Sequence, residues 1–226
     1  PGKVMRSLLD QPMLAWIVHR VAKSHLIDGI VVATTLDSRD DIITNFASER
    51  GWTLYRGSEN DVLDRYYQAA RETHADHIVR ITGDCPLIDP TVLDYVIAAY
   101  RSAVPHVDYA TNTLTRTYPR GLDAEVFSFA ALERTWREDH NVAWREHVTP
   151  YIYRHPDSFR LLNVVNPTNY AHYRVTADTP QDFELIQRIY EHFGHGDFAW
   201  HDLISVLETH PEWLDINRDV KQKSVE

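Results

Sequence analysis

An α/β fold built on a mostly parallel sheet, with helices on both faces, is what this 226-residue sequence predicts. Three observations carry that expectation. Apolar segments switch repeatedly between helical and extended periodicity, no linker, repeat or low-complexity block divides the chain, and the composition suits one sizeable core. At 43% hydrophobic and 11% aromatic residues, a single domain over residues 1–226 is expected.

The order of elements follows from the periodicity. Met13, Leu14, Ile17, Val18 and Val21 recur at helical spacing between Pro12 and Ser24, and Gly29 to Thr34 then reads as a buried strand. Further expectations are a helix over Arg39 to Arg50, a strand over Trp52 to Tyr55, a helix over Asp61 to His74 and a strand over His77 to Thr82. Asp89-Pro90 is an N-cap followed by proline at the first helical position, opening a helix to Arg101. The second half is less regular. Strands are expected at Val107 to Thr111, Ala124 to Phe127, Phe159 to Val165 and Tyr173 to Thr176. Helices are expected at Ser128 to Arg137, Val142 to Tyr153, Pro180 to His192 and Asp202 to Thr209, ahead of a polar tail.

A formal net charge of -10 with no run of Lys and Arg argues against a nucleic-acid partner, although a few cations in a cleft can still govern a local field. The longest apolar stretches fall short of the roughly 20 residues a membrane span needs, so no membrane partner is expected. The single cysteine, Cys85, has no disulfide partner, and with no signal-peptide core after Pro1 the expected compartment is the cytoplasm. The thirteen histidines are scattered, without the helical spacing of a zinc protease.

A sheet of this kind usually begins with a central buried strand, yet the chain opens on Pro1-Gly2-Lys3 and a helix. Losing a central strand would strand ladder groups on both neighbours. The expectation is therefore a first strand ahead of Pro1. The alternative is that another element or chain fills the gap.

In open α/β sheets ligands bind beyond the carboxyl ends of strands. Two such loops carry unusual acids: Thr82-Gly83-Asp84-Cys85-Pro86, where Gly83 allows close approach, and Val175-Thr176-Ala177-Asp178-Thr179-Pro180. Each aspartate could merely cap the next helix, but Asp89 and Thr179 are better placed as caps, Thr179-Pro180-Gln181-Asp182 reading as a capping box. That leaves Asp84 and Asp178 available to share a divalent cation with phosphate oxygens, as Mg²⁺ binding requires. Lys3 could meet a phosphate, or be an ordinary surface lysine. The loop from Gly57 through Ser58 and Asp61 to Arg65 could read a base or ribose, or be a capped helix start with Ser58 or Asn60 as the cap. A thiol-nucleophile reading of Cys85 with His147 as base is disfavoured, because a small residue between Asp84 and Pro86 suits packing better.

Six ordered segments together resemble one family: Pro1-Gly2-Lys3, Asp61-Val62-Leu63-Asp64-Arg65-Tyr66, Arg80 through Pro90, Gly121-Leu122-Asp123-Ala124-Glu125-Val126-Phe127, Arg145-Glu146-His147-Val148-Thr149-Pro150 and Thr176 through Asp182. It is the cytidylyltransferase family that includes spore-coat polysaccharide biosynthesis proteins of the SpsF type, related to acylneuraminate and keto-deoxy-octulosonate cytidylyltransferases. The resemblance implies a Rossmann-like, GT-A-like three-layer nucleotidyltransferase fold with a mostly parallel mixed sheet. It also implies CTP as donor, Mg²⁺ as cofactor, a small acidic or sugar acceptor, pyrophosphate release, a homodimer, and a triphosphate-wrapping loop that starts ahead of Pro1 and ends in Pro1-Gly2-Lys3. On the matching positions Lys3 would contact phosphate, Asp84 and Asp178 would hold magnesium, and Gly57, Ser58, Asp61, Arg65 and Gly83 would approach the nucleotide. Asn112 and Glu125 would face the acceptor, and Arg145 to Pro150 has no assigned role.

Two rivals use the same scaffold: a glycosyltransferase consuming a nucleotide sugar, against which the lack of an Asp-x-Asp motif counts, and a non-catalytic sugar-nucleotide binding subunit. Dehydrogenation fares worst, since no Gly-x-Gly-x-x-Gly follows a strand.

Overall fold

The computed structural model describes residues 2–222. A single 3₁₀ turn at Lys3–Met5 leads into a short antiparallel pair, β1 (Ser7–Leu8) and β2 (Gln11–Pro12), and then α1 (Met13–Val21). β3 (Val31–Thr35) and β4 (Thr53–Gly57) pair in parallel across the crossover helix α2 (Asp41–Glu49), with Val31 opposite Thr53 and Thr35 opposite Gly57. α3 (Val62–Glu72), β5 (His77–Arg80), α4 (Pro90–Ser102), β6 (Tyr109–Thr111) and β7 (Glu125–Ser128) follow. After them come α5 (Phe129–Glu138), α6 (Val142–His147), α7 (Pro150–Arg154), β8 (Leu161–Asn163), α8 (Pro180–Phe193) and α9 (Trp200–Thr209).

The larger sheet has the order β5-β7-β6-β8; β7 runs antiparallel to both neighbours and β6 parallel to β8, so the sheet is mixed. Side chains alternate across it. Ile78, Tyr109 and Phe127 pack with Leu63 and Tyr67 of α3, Leu132 of α5 and Ile152 of α7. Ala110 and Val126 point the other way, onto Val92, Leu93, Val96 and Ile97 of α4 and the apolar faces of α1, α8 and α9. Two helical layers thus sandwich one sheet, as expected. Among the described residues β3 and β5 each have a single ladder partner, and no ladder joins the two blocks.

The caps of α4 and α8 are those the sequence indicated. Asp89 accepts the Thr91 and Val92 N–H groups at 2.8 and 3.2 Å with Pro90 behind it, and Thr179 and Asp182 form the reciprocal capping box of α8. At α3 the cap is Asp61, which accepts from the Asp64 N–H at 2.9 Å, and neither Ser58 nor Asn60 fills that role. Arg20, almost wholly buried in α1, donates to the carbonyls of Ile88, Gly196 and Phe198 at 2.6, 2.6 and 3.0 Å. It anchors the far end of the Asp84 loop.

Two expected elements differ. The helix expected over Val142 to Tyr153 is two short helices, because proline cannot occupy a helix interior without losing a hydrogen bond and meeting the preceding turn. The break is a γ-turn at Val148, with φ 72° and ψ -54° and the Thr149 N–H on the His147 carbonyl at 2.9 Å. Tyr173 to Thr176 forms no ladder, only a parallel bridge between Arg120 and Arg174. The polar tail after α9 carries a 3₁₀ segment, Pro211–Ile216, whose Trp213, Leu214 and Ile216 pack on the core.

Gly121 makes that bridge possible. Its φ is 109°, and a Cβ there would lie 2.5 Å from the Val175 carbonyl oxygen. Gly121→Ala is therefore expected to lower unfolding stability by at least about 2 kcal/mol, read from the denaturant midpoint at unchanged slope. A midpoint within error of the parent's would show that the close approach is not required.

Candidate active site

Two loops from opposite ends of the sequence are stitched together at the carboxyl side of β5. The backbone oxygen of Asp84 accepts from the Ala177 N–H at 2.8 Å and from the Thr176 hydroxyl at 3.0 Å. This fixes Asp84 beside Asp178 so closely that their carboxyl groups contact each other. Gly83 approaches Val4, a Cβ at this position falling 3.0 Å from a Val4 methyl, and this brings the N-terminal 3₁₀ turn to the same place. Lys3 Nζ lies 3.5 Å from Asp178 Oδ1. Of the Pro1-Gly2-Lys3 segment, Pro1 lies outside the described residues.

Each carboxylate is held differently. Thr82 donates its hydroxyl to Asp84, and the Cys85 thiol sits 3.5 Å from the same oxygen. Arg174 reaches Asp178 Oδ2 at 3.0 Å while gripping the fully buried Asp182 with two bonds of 2.8 and 2.9 Å; Asn217 adds a third to Asp182 at 2.9 Å. Burial raises the Asp178 pKa, and contact with Asp84 and its charge push it further up, against Lys3 and Arg174. Asp84 is also lifted by burial, but the Thr82 hydroxyl, Asp178 and Lys3 outweigh this and leave its pKa lowered. Two acids in contact cannot both ionise freely, so one tends to keep its proton unless a cation lies between them.

That donor set fits Mg²⁺. Both donors are hard carboxylate oxygens, neither aspartate caps a helix, and Mg²⁺ takes only one or two protein carboxylates, completing its shell with water or phosphate oxygens. Among the described residues no cluster of three or more His, Cys, Asp or Glu groups is placed to hold a metal, so a dedicated protein cage is not what this pair offers.

The β4–α3 loop lies beyond the carboxyl end of β4. Gly57 is buried, and a Cβ on it would meet the Tyr55 ring at 2.9 Å and Arg65 Cγ at 3.0 Å, so glycine lets Arg65 lie across the strand end. Arg65 donates to the Ser58 carbonyl at 2.7 Å, and the Ser58 hydroxyl accepts the Asp61 N–H at 3.0 Å. Asp61 also receives Arg145 at 2.8 and 2.9 Å, while Arg145 donates to the Trp136 and Asp139 carbonyls. Arg145 thus acquires a role that the sequence did not supply: it ties α6 to this loop.

Glu125 and Asn112 turn inward. Glu125 receives Arg80, the Tyr109 hydroxyl at 2.6 Å and the Thr149 hydroxyl at 2.6 Å. Asn112, with no exposed surface, donates to the Leu122 carbonyl at 2.7 Å and accepts from the Ala124 N–H at 3.0 Å. Both brace the β6–β7 connection, Asn112 fully buried and Glu125 nearly so. Glu146 and His147 are exposed, and Cys85 is buried, its thiol pKa pushed well up by burial and then by the Asp84 charge; a thiolate nucleophile is disfavoured.

Sequence reasoning passed over Arg80, Arg174 and Thr149 as individual residues. A signal existed for the first two: an arginine at an inward position of an apolar strand, and one four residues before a candidate metal ligand, both demand acidic partners. Thr149 gave no such signal, because its orientation depends on the γ-turn before it.

Comparison with known proteins bears on the family and the fold. A family model described as cytidylyltransferase matches residues 1–200. The spore coat polysaccharide biosynthesis protein SpsF of Bacillus subtilis is 34% identical over 223 residues, which cover 94% of this chain and 90% of that protein. A solved cytidylyltransferase from Leptospira borgpetersenii aligns with a TM-score of 0.90 at 32% identity, over 99% of this chain and 93% of its own. CMP:2-keto-3-deoxy-manno-octonic acid synthetase, solved in complex with CTP, aligns with a TM-score of 0.62 at 15% identity, over 85% of this chain and 92% of its own, a likeness of fold.

A carboxyl held above its unfolded value subtracts stability as pH rises through its folded pKa. Asp178→Asn removes that penalty. In chelator, calorimetry is expected to show a higher Tm for the variant at pH 7, and the advantage should fade below roughly pH 4, where the unfolded carboxyl is itself protonated. An equal or lower Tm at pH 7 would contradict the like-charge account.

Proposed function

Because the chain belongs to the cytidylyltransferase family and is a nucleotidyltransferase, we propose that it transfers CMP from CTP to a sugar acid or related acidic acceptor, with Mg²⁺ bound by Asp84 and Asp178. The observation that carries this reading is the contact between two carboxylates at the carboxyl end of β5, with Lys3 beside them. The product would serve surface polysaccharide or glycoconjugate synthesis, a role supported by the likeness to SpsF.

On this reading the acceptor oxygen attacks the α-phosphorus in line and pyrophosphate departs. Magnesium, when bound, would polarise the phosphate and offset charge on the leaving group. The remaining work falls to the chain. Lys3 supplies a point charge for the phosphates, Arg174 holds Asp178 in orientation through Asp182, and Thr82 keeps the Asp84 carboxylate ionised. Gly57, Ser58, Asp61 and Arg65 form the nucleotide side with Gly83, since the amides of a loop entering a helix suit a ribose or base. Asn112 and Glu125 act behind the acceptor wall by fixing the β6–β7 connection. An acceptor that arrives ionised needs no general base, whereas a hydroxyl acceptor does. The same reading includes a strand joining β3 to β5, each of which is an edge strand among the described residues.

The test is pyrophosphate release from CTP, UTP, ATP and GTP with a panel of sugar acids and sugar phosphates, with and without Mg²⁺. CTP is expected to be preferred and Mg²⁺ required. Asp84→Asn and Asp178→Asn should each lower turnover by about 100-fold or more while circular dichroism stays unchanged. Near-normal turnover in either variant would sink the metal assignment for that residue.

A further inference from the structure

Arginines that leave solvent in this protein are consistently partnered. Arg56, Arg80, Arg116, Arg145 and Arg174 each grip a carboxylate, and Arg65 grips a backbone carbonyl. Arg120 is the contrast. It is half-buried, yet among the described residues its guanidinium makes no hydrogen bond or ion pair. Its surroundings worsen its position: burial first, then the Arg116 charge, lower its pKa, and Arg174 adds to them. Asp123 and Asp178 are near enough to be felt, but Asp123 is committed to a two-point pair with Arg116, and Asp178 to Arg174, Asp84 and Lys3.

A partly desolvated cation without a counter-ion costs free energy that a folded chain tolerates when something else supplies the negative charge. The backbone carrying Arg120 is held from both sides, its N–H on the Tyr173 carbonyl at 3.0 Å and its carbonyl on the Val175 N–H at 2.8 Å, with Gly121 next to it locked at φ 109°. The side chain therefore leaves from a fixed point. Lys3 meets Oδ1 of Asp178, whereas Arg174, the bridge partner of Arg120, meets Oδ2. Arg120 thus stands on the backbone beside Arg174, with Asp178 within electrostatic range of its guanidinium.

Resting on the reading of the site as a nucleotidyltransferase centre, we propose that Arg120 binds the anionic group of the acceptor, a carboxylate or a phosphate, beside the carboxylate pair. It positions the acceptor, and it makes an acid the preferred acceptor class. An arginine fork suits either oxyanion, with charge-assisted bonds stronger than neutral ones.

Calorimetric titrations separate the possibilities without turnover. 3-Deoxy-manno-octulosonate serves as the carboxylate probe, glucose 6-phosphate as the phosphate probe and glucose as the neutral control, each in magnesium-free buffer with and without saturating CMP. CTP with Mg²⁺ is titrated separately. The wild type is expected to bind at least one acidic probe and to ignore glucose. Arg120→Ala and the longer Arg120→Gln should weaken that binding by about tenfold or more, Arg120→Lys should restore part of it, and CTP affinity should stay within about twofold throughout. Binding of the carboxylate probe alone or of the phosphate probe alone identifies which oxyanion the residue serves. The proposal is overturned if no acidic probe binds the wild type, if the variants bind the probe as the parent does, or if CTP affinity falls equally, which would make Arg120 a triphosphate residue. Failure of CTP to bind any form would instead strike the cytidylyl-transfer reading, with the acid arm still deciding the role of Arg120.

Discussion

Forcing two acids into contact is the constraint on which the rest of this structure depends. The backbone oxygen of Asp84, held by the Ala177 N–H and the Thr176 hydroxyl, leaves neither side chain free to move away from the other. Like charges at such range repel strongly in a partly buried setting, and a fold seeking only stability would replace one of them. Around the pair the protein spends a buried aspartate, an arginine, an asparagine and a close-packed glycine to keep the geometry. Strain of this kind, kept by surrounding contacts, is characteristic of functional sites, and the proposed cation would relieve it.

A second group of contacts sets the walls of the cleft. Arg80 and Glu125 pair on adjacent antiparallel strands, β5 and β7, where they are direct register partners, and Thr149 reaches the same carboxylate from the segment after α6. Val148 makes that reach possible by adopting a γ-turn, which a β-branched residue resists. Its burial without exposed surface supplies the offset. Arg145, one turn earlier, ties to Asp61 on the β4–α3 loop. One short segment therefore links the β4–α3 loop to Glu125, which explains why a run without any obvious reactive group carries so distinctive a sequence.

How much of this could be read beforehand depends on the range of the interaction. Asp89 and Thr179 were legible as caps because capping is settled within three or four residues. With those two roles filled, Asp84 and Asp178 stood out by type and place. Their mutual contact was not legible, since it depends on a bridge between residues 120 and 174 and on a glycine conformation far from either aspartate. The split between α6 and α7 could have been inferred from Pro150 alone; the helical periodicity of the flanking residues obscured it. Asn112 and Glu125 show the other limit, for a polar residue at a strand end reads as ligand-facing from the sequence, whereas its tertiary partners, here the β6–β7 backbone, Arg80, Tyr109 and Thr149, are visible only in the fold.

A chain of net charge -10 proposed to bind a triphosphate raises an electrostatic question, and the arrangement of pairs answers it. Lys3, Arg116, Arg120 and Arg174 gather where Asp84, Asp123, Asp178 and Asp182 do, so the local balance is close to neutral before any ligand arrives. The pairing is uneven, however. Arg116 and Arg174 are neutralised by tight bidentate partners, whereas Asp84 and Asp178 face each other and Arg120 faces no acid at bonding distance. Adding a divalent cation to the two aspartates leaves a surplus positive field confined to the cleft, while the remaining surface stays acidic. Field strength there is set by short-range geometry more than by total charge, because screening in salt removes contributions beyond roughly 10 Å. The acidic exterior therefore does not oppose anion binding at the centre; it disfavours longer polyanions such as nucleic acids, which would have to cover that exterior to reach the same cations.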